Sequence, residues 1–290
     1  MPIIVVAVAA GCTGLAVAAL VLRFPAADPS APAIQPTTVR REARRHGTAA
    51  RFLATHLDPQ PAAGLLLTTA LAMVLVAGIA LGALLIMVQH HVLLARYDLS
   101  AAHWGATNAS PASTRVLRDV SLLGGTPVMI IVAVSVAAAE YLRTRRRVVF
   151  GFMAAAIIGQ VILSNGIKYI VNRPRPDIAR LTGFSGASFP SGHAATAAIT
   201  FAAAAFLLGR GRSTGIKAVC AGAAAAIAVA VATTRVLLGV HWFTDVLAGL
   251  ALGWGWFALC SIAFGGRLLR FGQPVAVAER SVSGAAAPRR

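Results

Sequence analysis

Charged residues, and acidic ones above all, are scarce in this sequence. Only 12% of the 290 residues are charged, and 9 Asp and Glu stand against 26 Lys and Arg. Because about a quarter of the residues of a typical soluble domain are charged, this composition argues against a soluble protein. The few acidic residues are also scattered, so the sequence holds no carboxylate cluster suited to Mg²⁺.

Cysteine is equally rare. The 3 cysteines, Cys12, Cys220 and Cys260, all lie inside apolar stretches. An odd number of cysteines in such positions indicates neither a disulfide framework nor a metal site. We therefore expect them to be small side chains facing lipid or the protein core.

Apolar residues are abundant. They make up 58% of the chain, and the mean hydropathy is +0.76. Several apolar runs approach or exceed the roughly 20 residues that cross a bilayer as a helix; the segments are 3–22, 63–88, 120–141, 148–171, 193–209, 217–239 and 242–264. The sequence predicts an all-α integral membrane protein, with a six-helix core domain over 61–266 and an extra N-terminal transmembrane helix. Residues 1–60 comprise that N-terminal segment and a basic linker, and 267–290 form a basic cytoplasmic tail.

The positive charge follows the predicted topology. A net charge of +17 could indicate nucleic acid, but the basic residues lie in short connectors between apolar segments. We therefore expect the lipid bilayer, and no nucleic acid, as the partner. The clusters at 39–51, 143–147, 210–217 and after 267 fall on alternate sides of successive segments. Since Lys and Arg in short loops mark the cytoplasmic side, the core is predicted to start and finish in the cytoplasm.

The first apolar segment, 3–22, has two interpretations. We favour an uncleaved helix with its amino end outside. A cleaved signal peptide is the alternative, although no basic region precedes the apolar run and no clear A-x-A site follows it.

Three polar clusters lie where the topology places the extracytoplasmic face. The first is KYIVNRPRP, with Lys168, Arg173 and Arg175. The second is Pro190-Ser191-Gly192-His193, at the start of the next apolar run. The third is TRVLLGVHWFTD, with Thr234, Arg235, His241 and Asp245. The predicted topology gathers these clusters at one face of the membrane.

The cationic members of these clusters suit a phosphate group. Lys168, Arg175 and Arg235 can bind an anion with several oxygens, and the planar fork of arginine matches phosphate. Backbone N–H groups of Ser191 and Gly192 at a helix start can add donors. Each feature has a simpler interpretation, since single basic residues at helix ends usually reach for headgroups and a Ser-Gly pair is often only a cap.

The histidines and the aspartate add reactive groups. His241 and Asp245 are four residues apart, so we expect them to share a helix face, where the carboxylate orients the imidazole. His193 is a second imidazole, available as a proton donor. An acidic group inside a membrane helix is costly and usually functional. Together, these groups predict a phosphoryl-transfer site.

The three clusters resemble the three-part signature of the type 2 phosphatidic acid phosphatase superfamily. Lys168 and Arg175-Pro176, then Pro190-Ser191-Gly192-His193, then Arg235, His241 and Asp245 stand in its order and spacing. The resemblance covers roughly 90–264, including YDLSAAHW in an outer connector of unpredicted fold.

The resemblance implies a role for each motif residue. His241 would attack phosphorus and form a phosphohistidine, oriented by Asp245, while His193 would protonate the leaving oxygen and then activate water. The phosphate would be held by Lys168, Arg175, Ser191, Gly192 and Arg235. No metal and no other cofactor would be needed. Thr234 stands where the family usually has serine, which predicts a modest change in phosphate contact, and Arg173 and Asn172 are candidates to assist.

The activity implied is hydrolysis of a membrane lipid phosphate or diphosphate at the extracytoplasmic face of the cell membrane. Candidate substrates are a polyprenyl diphosphate, phosphatidate and phosphatidylglycerophosphate. A phosphotransferase of the same fold and a non-catalytic lipid-phosphate binder or transporter are the alternatives. A vanadium haloperoxidase is disfavoured because those relatives are soluble. The sequence does not indicate an oligomeric state.

Overall fold

The computed structural model describes residues 1–23, 61–178 and 180–269, and these contain helices and no strand. In chain order the elements are α1 (Pro2–Arg23), α2 (Pro61–His90), a 3-10 helix (Leu93–Tyr97), α3 (Asp98–Thr107), α4 (Pro111–Leu122), α5 (Thr126–Thr144), α6 (Val148–Val171), α7 (Gly192–Gly209), α8 (Thr214–Leu237) and α9 (Phe243–Leu269).

Within the described residues, seven helices are long and apolar enough to cross a bilayer. This confirms the predicted all-α membrane fold. The last helix continues past the expected boundary at 266 to Leu269. The predicted linker after α1 and the tail beyond α9 lie outside the described residues.

Residues 98–122 form two short helices, α3 and α4, which we call the outer hairpin. The fold of this connector was not predicted, and the next span was predicted to begin at 120, whereas α4 ends at Leu122 and α5 begins at Thr126. Ser110 and Ser113 cap α4 reciprocally, each backbone N–H bonding the other's hydroxyl. Gly124 and Gly125 then separate the helices. The early start was wrong because the apolar end of α4 runs directly into the next apolar segment.

Helix α7 lies at the centre of the bundle and packs closely against α9. Alanines fill its buried faces, and glycines on α9 face its backbone. A Cβ on Gly249 would stand 2.5 Å from the Ser191 carbonyl oxygen, and one on Gly253 2.6 Å from that of Ala195. This approach requires glycine, and it brings the start of α7, with His193, against the first turn of α9, with Asp245.

The N-terminal helix α1 packs mainly on α8. The two helices cross at Gly14 and Gly222, where a Cβ on either would come within 3 Å of the other's carbonyl oxygen. Nearer its amino end, Val6 is buried with Leu237 and Leu238. The predicted helix is therefore confirmed, and its amino end lies where α8 ends. Its retention without cleavage stays a prediction.

The two ends of the bundle differ in chemistry. At one end, buried Glu140 on α5 pairs with Arg143 at 2.8 Å and with Arg210 at 3.0 Å, which joins two basic connectors. At the other end lie the outer hairpin, the α6–α7 loop (172–191) and the turn before α9. Within the part of the chain that the structure describes, the basic connectors at 143–147 and 210–217 lie at the opposite end of the bundle from the three polar clusters, as the topology predicted.

Candidate active site

The α6–α7 loop folds over the end of the bundle. Asn172 ends α6 in the left-handed conformation, with φ 42°, and Pro174 and Pro176 stiffen the chain that follows. The Leu181 N–H donates to the Leu238 carbonyl at 3.0 Å, which ties the loop to the turn after α8. The loop thereby forms one wall of a cavity at the bundle end.

The cavity has a volume of about 340 Å³. Phe184 and its neighbours Gly183 and Ser185 form its rim. Six predicted site residues, drawn from α6, α7, α8, the loop and the turn before α9, line it: Lys168, Arg175, Gly192, His193, Arg235 and His241. The convergence expected from the topology is therefore present, although the side chains come from positions far apart in the sequence.

His241 is almost fully buried, at 1% exposure, and its Nδ1 lies 3.4 Å from Oδ2 of Asp245. The expectation that both share a helix face was wrong in detail, because α9 begins at Phe243 and His241 lies in the preceding turn. The pair still forms because the carboxylate also accepts the Trp242 N–H at 2.9 Å, which folds the turn back onto the helix.

Burial sets the protonation state of His241. It lowers the pKa of the imidazole from the ordinary 6.5 to about 4, although the hydrogen bond and charge of Asp245 act in the opposite direction. Arg175 and Arg235 add to the lowering. His241 is therefore neutral near pH 7, which leaves one ring nitrogen with a lone pair.

Asp245 is held from several sides. Its Oδ1 accepts from Arg173 Nη1 at 2.6 Å, and its Oδ2 also accepts from the Ser188 hydroxyl. Ser188 and Asp245 are fully buried. Removing one partner of a buried ion pair costs about 3–5 kcal/mol. Arg173 therefore strongly stabilises the Asp245 carboxylate in this position. Arg173 was predicted only as a candidate to assist, and Ser188 was missed.

Arg175 is engaged mainly with the protein. Its guanidinium donates to the carbonyls of Ser185, Gly186 and Val240 at 2.6–2.9 Å, and Nη1 lies 3.2 Å from His241 Nε2. Burial lowers the pKa of this guanidinium. Arg175 therefore shapes the loop and faces the imidazole, in addition to its predicted contact with phosphate.

Arg235 has the features expected of an anion ligand. It is 5% exposed, lines the cavity, and donates from Nη1 to the Ser121 hydroxyl at 2.8 Å. Its Nε has no hydrogen-bond partner among the residues the structure describes. A buried N–H without a partner is costly, and a phosphate oxygen in the cavity would satisfy it. Ser121, on the outer hairpin, was not predicted.

Two expectations about hydroxyl residues need correction. The Ser191 N–H donates to the Asp245 carbonyl at 2.9 Å, and its hydroxyl caps α7, so this backbone N–H is already used. The Thr234 hydroxyl donates to the Val231 carbonyl at 2.7 Å, so it bonds its own helix instead of facing phosphate. Both are fully buried behind the cavity wall. Gly192, by contrast, lines the cavity, and a Cβ there would stand 3.8 Å from Lys168 Nζ.

Asp98 is the functional candidate that sequence reasoning missed most completely. It lies in the stretch YDLSAAHW, is 3% exposed, and accepts from Arg173 Nη2 at 2.7 Å and from the Thr244 N–H at 2.8 Å. One signal was available, since an acidic residue beside apolar segments stands out in a chain with only 9 acidic residues. Its partner could not be read from the sequence.

The protein is a helical membrane bundle with a polar site at one end. The site holds a histidine supported by a carboxylate, a second histidine and several cations, which is the arrangement expected of a membrane phosphatase. Comparison with known proteins agrees. The family model of the PAP2 superfamily matches residues 148–268. Phosphatidylglycerophosphatase B of Bacillus subtilis is 32% identical over 169 residues, which cover 56% of this chain and 80% of that protein. The chain belongs to the PAP2 superfamily.

Two further proteins are similar to this chain. The lipid A 1-phosphatase of Rhizobium etli is 37% identical over 118 residues, covering 37% of this chain and 47% of that protein. The match thus spans about half the length of that relative. The crystal structure of a transmembrane PAP2 type phosphatidylglycerolphosphate phosphatase from Bacillus subtilis superposes with a TM-score of 0.61 at 26% identity, covering 70% of this chain and 98% of that one.

Proposed function

We propose that this protein is a membrane lipid phosphatase that hydrolyses a lipid phosphate or diphosphate through a phosphohistidine on His241, at the extracytoplasmic face. The observation that carries the proposal is the buried pair of His241 and Asp245 at the wall of a cavity that also holds Lys168, His193 and Arg235. The names of the relatives, lipid A 1-phosphatase and phosphatidylglycerophosphatase B, support a lipid phosphate as substrate.

The first chemical step forms the covalent intermediate. The lone pair on Nε2 of His241 attacks phosphorus as the bond to the lipid oxygen breaks, and that oxygen takes a proton from His193. Asp245 stabilises the positive charge that develops on the ring, because its carboxylate faces Nδ1. Lys168, Arg175 and Arg235 oppose the charge on the phosphate oxygens.

The second step returns the enzyme to its starting state. His193, now neutral, takes a proton from water, whose oxygen attacks the phosphohistidine, and the bond from phosphorus to Nε2 breaks. Inorganic phosphate leaves and both histidines recover their initial protonation. If an alcohol replaced water, the same site would act as a phosphotransferase, so the test must identify both products.

The membrane supplies selectivity for a lipid. The cavity presents groups suited to phosphate, so a soluble ester fits it as well; a lipid gains because the bilayer holds its phosphate at the depth of the site. The cavity lies at the end of the bundle opposite the basic connectors. Because such connectors mark the cytoplasmic side, this position supports an extracytoplasmic site. Among lipids we favour a polyprenyl diphosphate, since the cavity holds several cations and Arg180 lies near its rim, 4.7 Å from the Phe184 ring centroid.

The decisive experiment is a phosphate-release panel with the purified full chain in liposomes. It compares polyprenyl diphosphate, phosphatidate, phosphatidylglycerophosphate and glucose 6-phosphate in the presence of a chelator, with His241→Ala as control. We expect release from at least one lipid and far lower kcat/KM for the sugar phosphate. Release no greater than that of His241→Ala from every lipid would overturn the proposal, and an equal value for glucose 6-phosphate would overturn its lipid part.

A further inference from the structure

Two ion pairs, both made by Arg173, connect Asp98 of the outer hairpin to Asp245. Arg173 donates from Nη2 to Asp98 Oδ2 at 2.7 Å and from Nη1 to Asp245 Oδ1 at 2.6 Å. Thr244, next to Asp245, gives its N–H to Asp98 at 2.8 Å and its hydroxyl to the same carboxylate at 2.7 Å. Asp98 is thus bonded to both the partner and the sequence neighbour of Asp245.

Asp98 and Arg173 lie behind the cavity wall. Asp98 and Arg173 are not among the residues that line the cavity, so neither is placed to touch a phosphate group. Arg173 is also fixed by Trp242, whose ring centroid lies 5.2 Å from the guanidinium carbon. Buried charges are costly unless they are paired. Here Arg173 pairs with both buried carboxylates, Asp98 and Asp245.

We propose that Asp98 and Arg173 are positioning residues for the pair of His241 and Asp245. Asp98 fixes the Arg173 guanidinium, and Arg173 in turn fixes the Asp245 carboxylate and partly neutralises its charge. This inference rests on the proposed function, in which Asp245 supports an attacking His241. The outer hairpin would then contribute to catalysis through Asp98, although Asp98 does not line the cavity.

The charges predict opposite effects at His241. The charged and titratable groups around the pair of His241 and Asp245, on every element packed against it, are Arg173 and Arg175 of the loop, Arg235 of α8, Lys168 of α6 and His193 of α7. Removing the negative charge of Asp98 leaves Arg173 less neutralised, which lowers the pKa of His241. Removing the positive charge of Arg173 leaves Asp245 less neutralised, which raises the pKa of His241. Loosened packing alone would give no such reversal of sign.

The test measures the pKa of His241 directly. The full chain, with ¹³C-labelled histidine and in lipid nanodiscs, is titrated by NMR, and His241→Gln identifies the resonance. We expect Asp98→Asn to lower the pKa of His241 and Arg173→Gln to raise it, each by on the order of one pH unit. Arg173→Lys, which keeps the charge, should remain near the wild-type pKa. Asp119→Asn and Arg115→Gln, exposed charge removals on the outer hairpin, are the matched controls and should have no effect.

Kinetics complete the test. For Asp98→Asn we expect kcat to fall roughly 10- to 100-fold, as for other groups that orient a reacting residue, with KM near the wild-type value. Unchanged pKa values, or shifts of the same sign in Asp98→Asn and Arg173→Gln, would overturn the inference. Absence of phosphate release by the wild type would instead overturn the proposed function, and the NMR titration would still decide the charge relationship.

Discussion

Nη1 of Arg175 lies 3.2 Å from Nε2 of His241, while Nδ1 of the same ring lies 3.4 Å from the Asp245 carboxylate. A guanidinium can only donate hydrogen bonds, so Nε2 must accept and the ring proton must be on Nδ1. This is the tautomer in which Nε2 has a lone pair for attack on phosphorus. An anionic phosphate oxygen is a stronger acceptor than a neutral imidazole, so a bound substrate would draw Arg175 away and release Nε2.

Replacing the proposed nucleophile should abolish turnover. We expect His241→Ala to lower kcat by roughly 10⁴-fold or more, because His193, the other imidazole among the described residues that line the cavity, is already needed as the proton donor. Asp245→Asn should lower it by roughly 10³- to 10⁴-fold, since the ring loses its orienting charge. His103→Gln, an exposed histidine of the outer hairpin, is the control and should retain wild-type phosphate release. Substantial turnover by His241→Ala would contradict the nucleophile assignment.

The pH dependence should be bell-shaped, with an unusually low acid limb. His241 attacks in its neutral form, and burial lowers its pKa from 6.5 to about 4. Turnover should therefore persist as the pH falls through 6.5 and decline only as it approaches 4. The alkaline limb reports the proton that His193 must donate. The measurement is kcat/KM for phosphate release, corrected for the ionisation of the substrate followed by ³¹P NMR. An acid limb at 6.5 after that correction would contradict the burial of a neutral His241.

Loss of the Ser121 hydroxyl should weaken anion binding through Arg235. Its contact with Nη1 at 2.8 Å fixes the guanidinium beside the cavity. We expect Ser121→Ala to raise the inhibition constant of orthovanadate, a mimic of five-coordinate phosphorus, by roughly tenfold. Ser113→Ala is the matched control, because Ser113 is also buried on α4 but only caps the helix. Equal vanadate inhibition of the two variants would show that the contact does not order Arg235 for the anion.

The topology can be tested without chemistry. In a background without Cys12, Cys220 and Cys260, Asp177→Cys in the α6–α7 loop should react with an impermeant maleimide added to intact cells. Arg212→Cys, at the opposite end of the bundle, should react only after the membrane is opened. Both positions are exposed. Gly186 is a poorer choice for the first label because its φ of +63° strains any other residue. The reverse labelling pattern would place the site in the cytoplasm.

Arg180 offers a test of the preference for a diphosphate. Its guanidinium and that of Arg175 lie 4.7 and 4.9 Å from the Phe184 ring centroid, so two cations flank the rim. Because Arg180 is partly exposed, its effect is screened, and we expect Arg180→Gln to lower the diphosphate-to-monophosphate ratio of kcat/KM roughly two- to fivefold. Arg115→Gln, an exposed removal of the same charge, should leave the ratio unchanged. An unchanged ratio in Arg180→Gln would remove this support for a diphosphate.

The seven spans and the convergence of the three polar clusters could be predicted from the sequence. Apolar length specifies a transmembrane helix directly, because lipid requires every backbone group to be bonded within the segment. Alternation of basic connectors then places the clusters at one end, and the structure confirms that Lys168, His193, Arg235 and His241 share a cavity. These conclusions need only local patterns and chain order.

The contacts behind the cavity wall could not be predicted from the sequence, because they depend on how distant helices pack. Arg173 and Asp98 are 75 residues apart, and Arg235 and Ser121 are 114 apart, so no local period relates them. The outer hairpin was equally hidden, because the apolar end of α4 merges with the next span in the sequence. Whether the Ser191 N–H was free depended on the close approach of α7 to α9 at Gly249. Such contacts follow from the packing of elements that are distant in the chain. The periodicity of a single sequence describes only local structure, so it does not predict them.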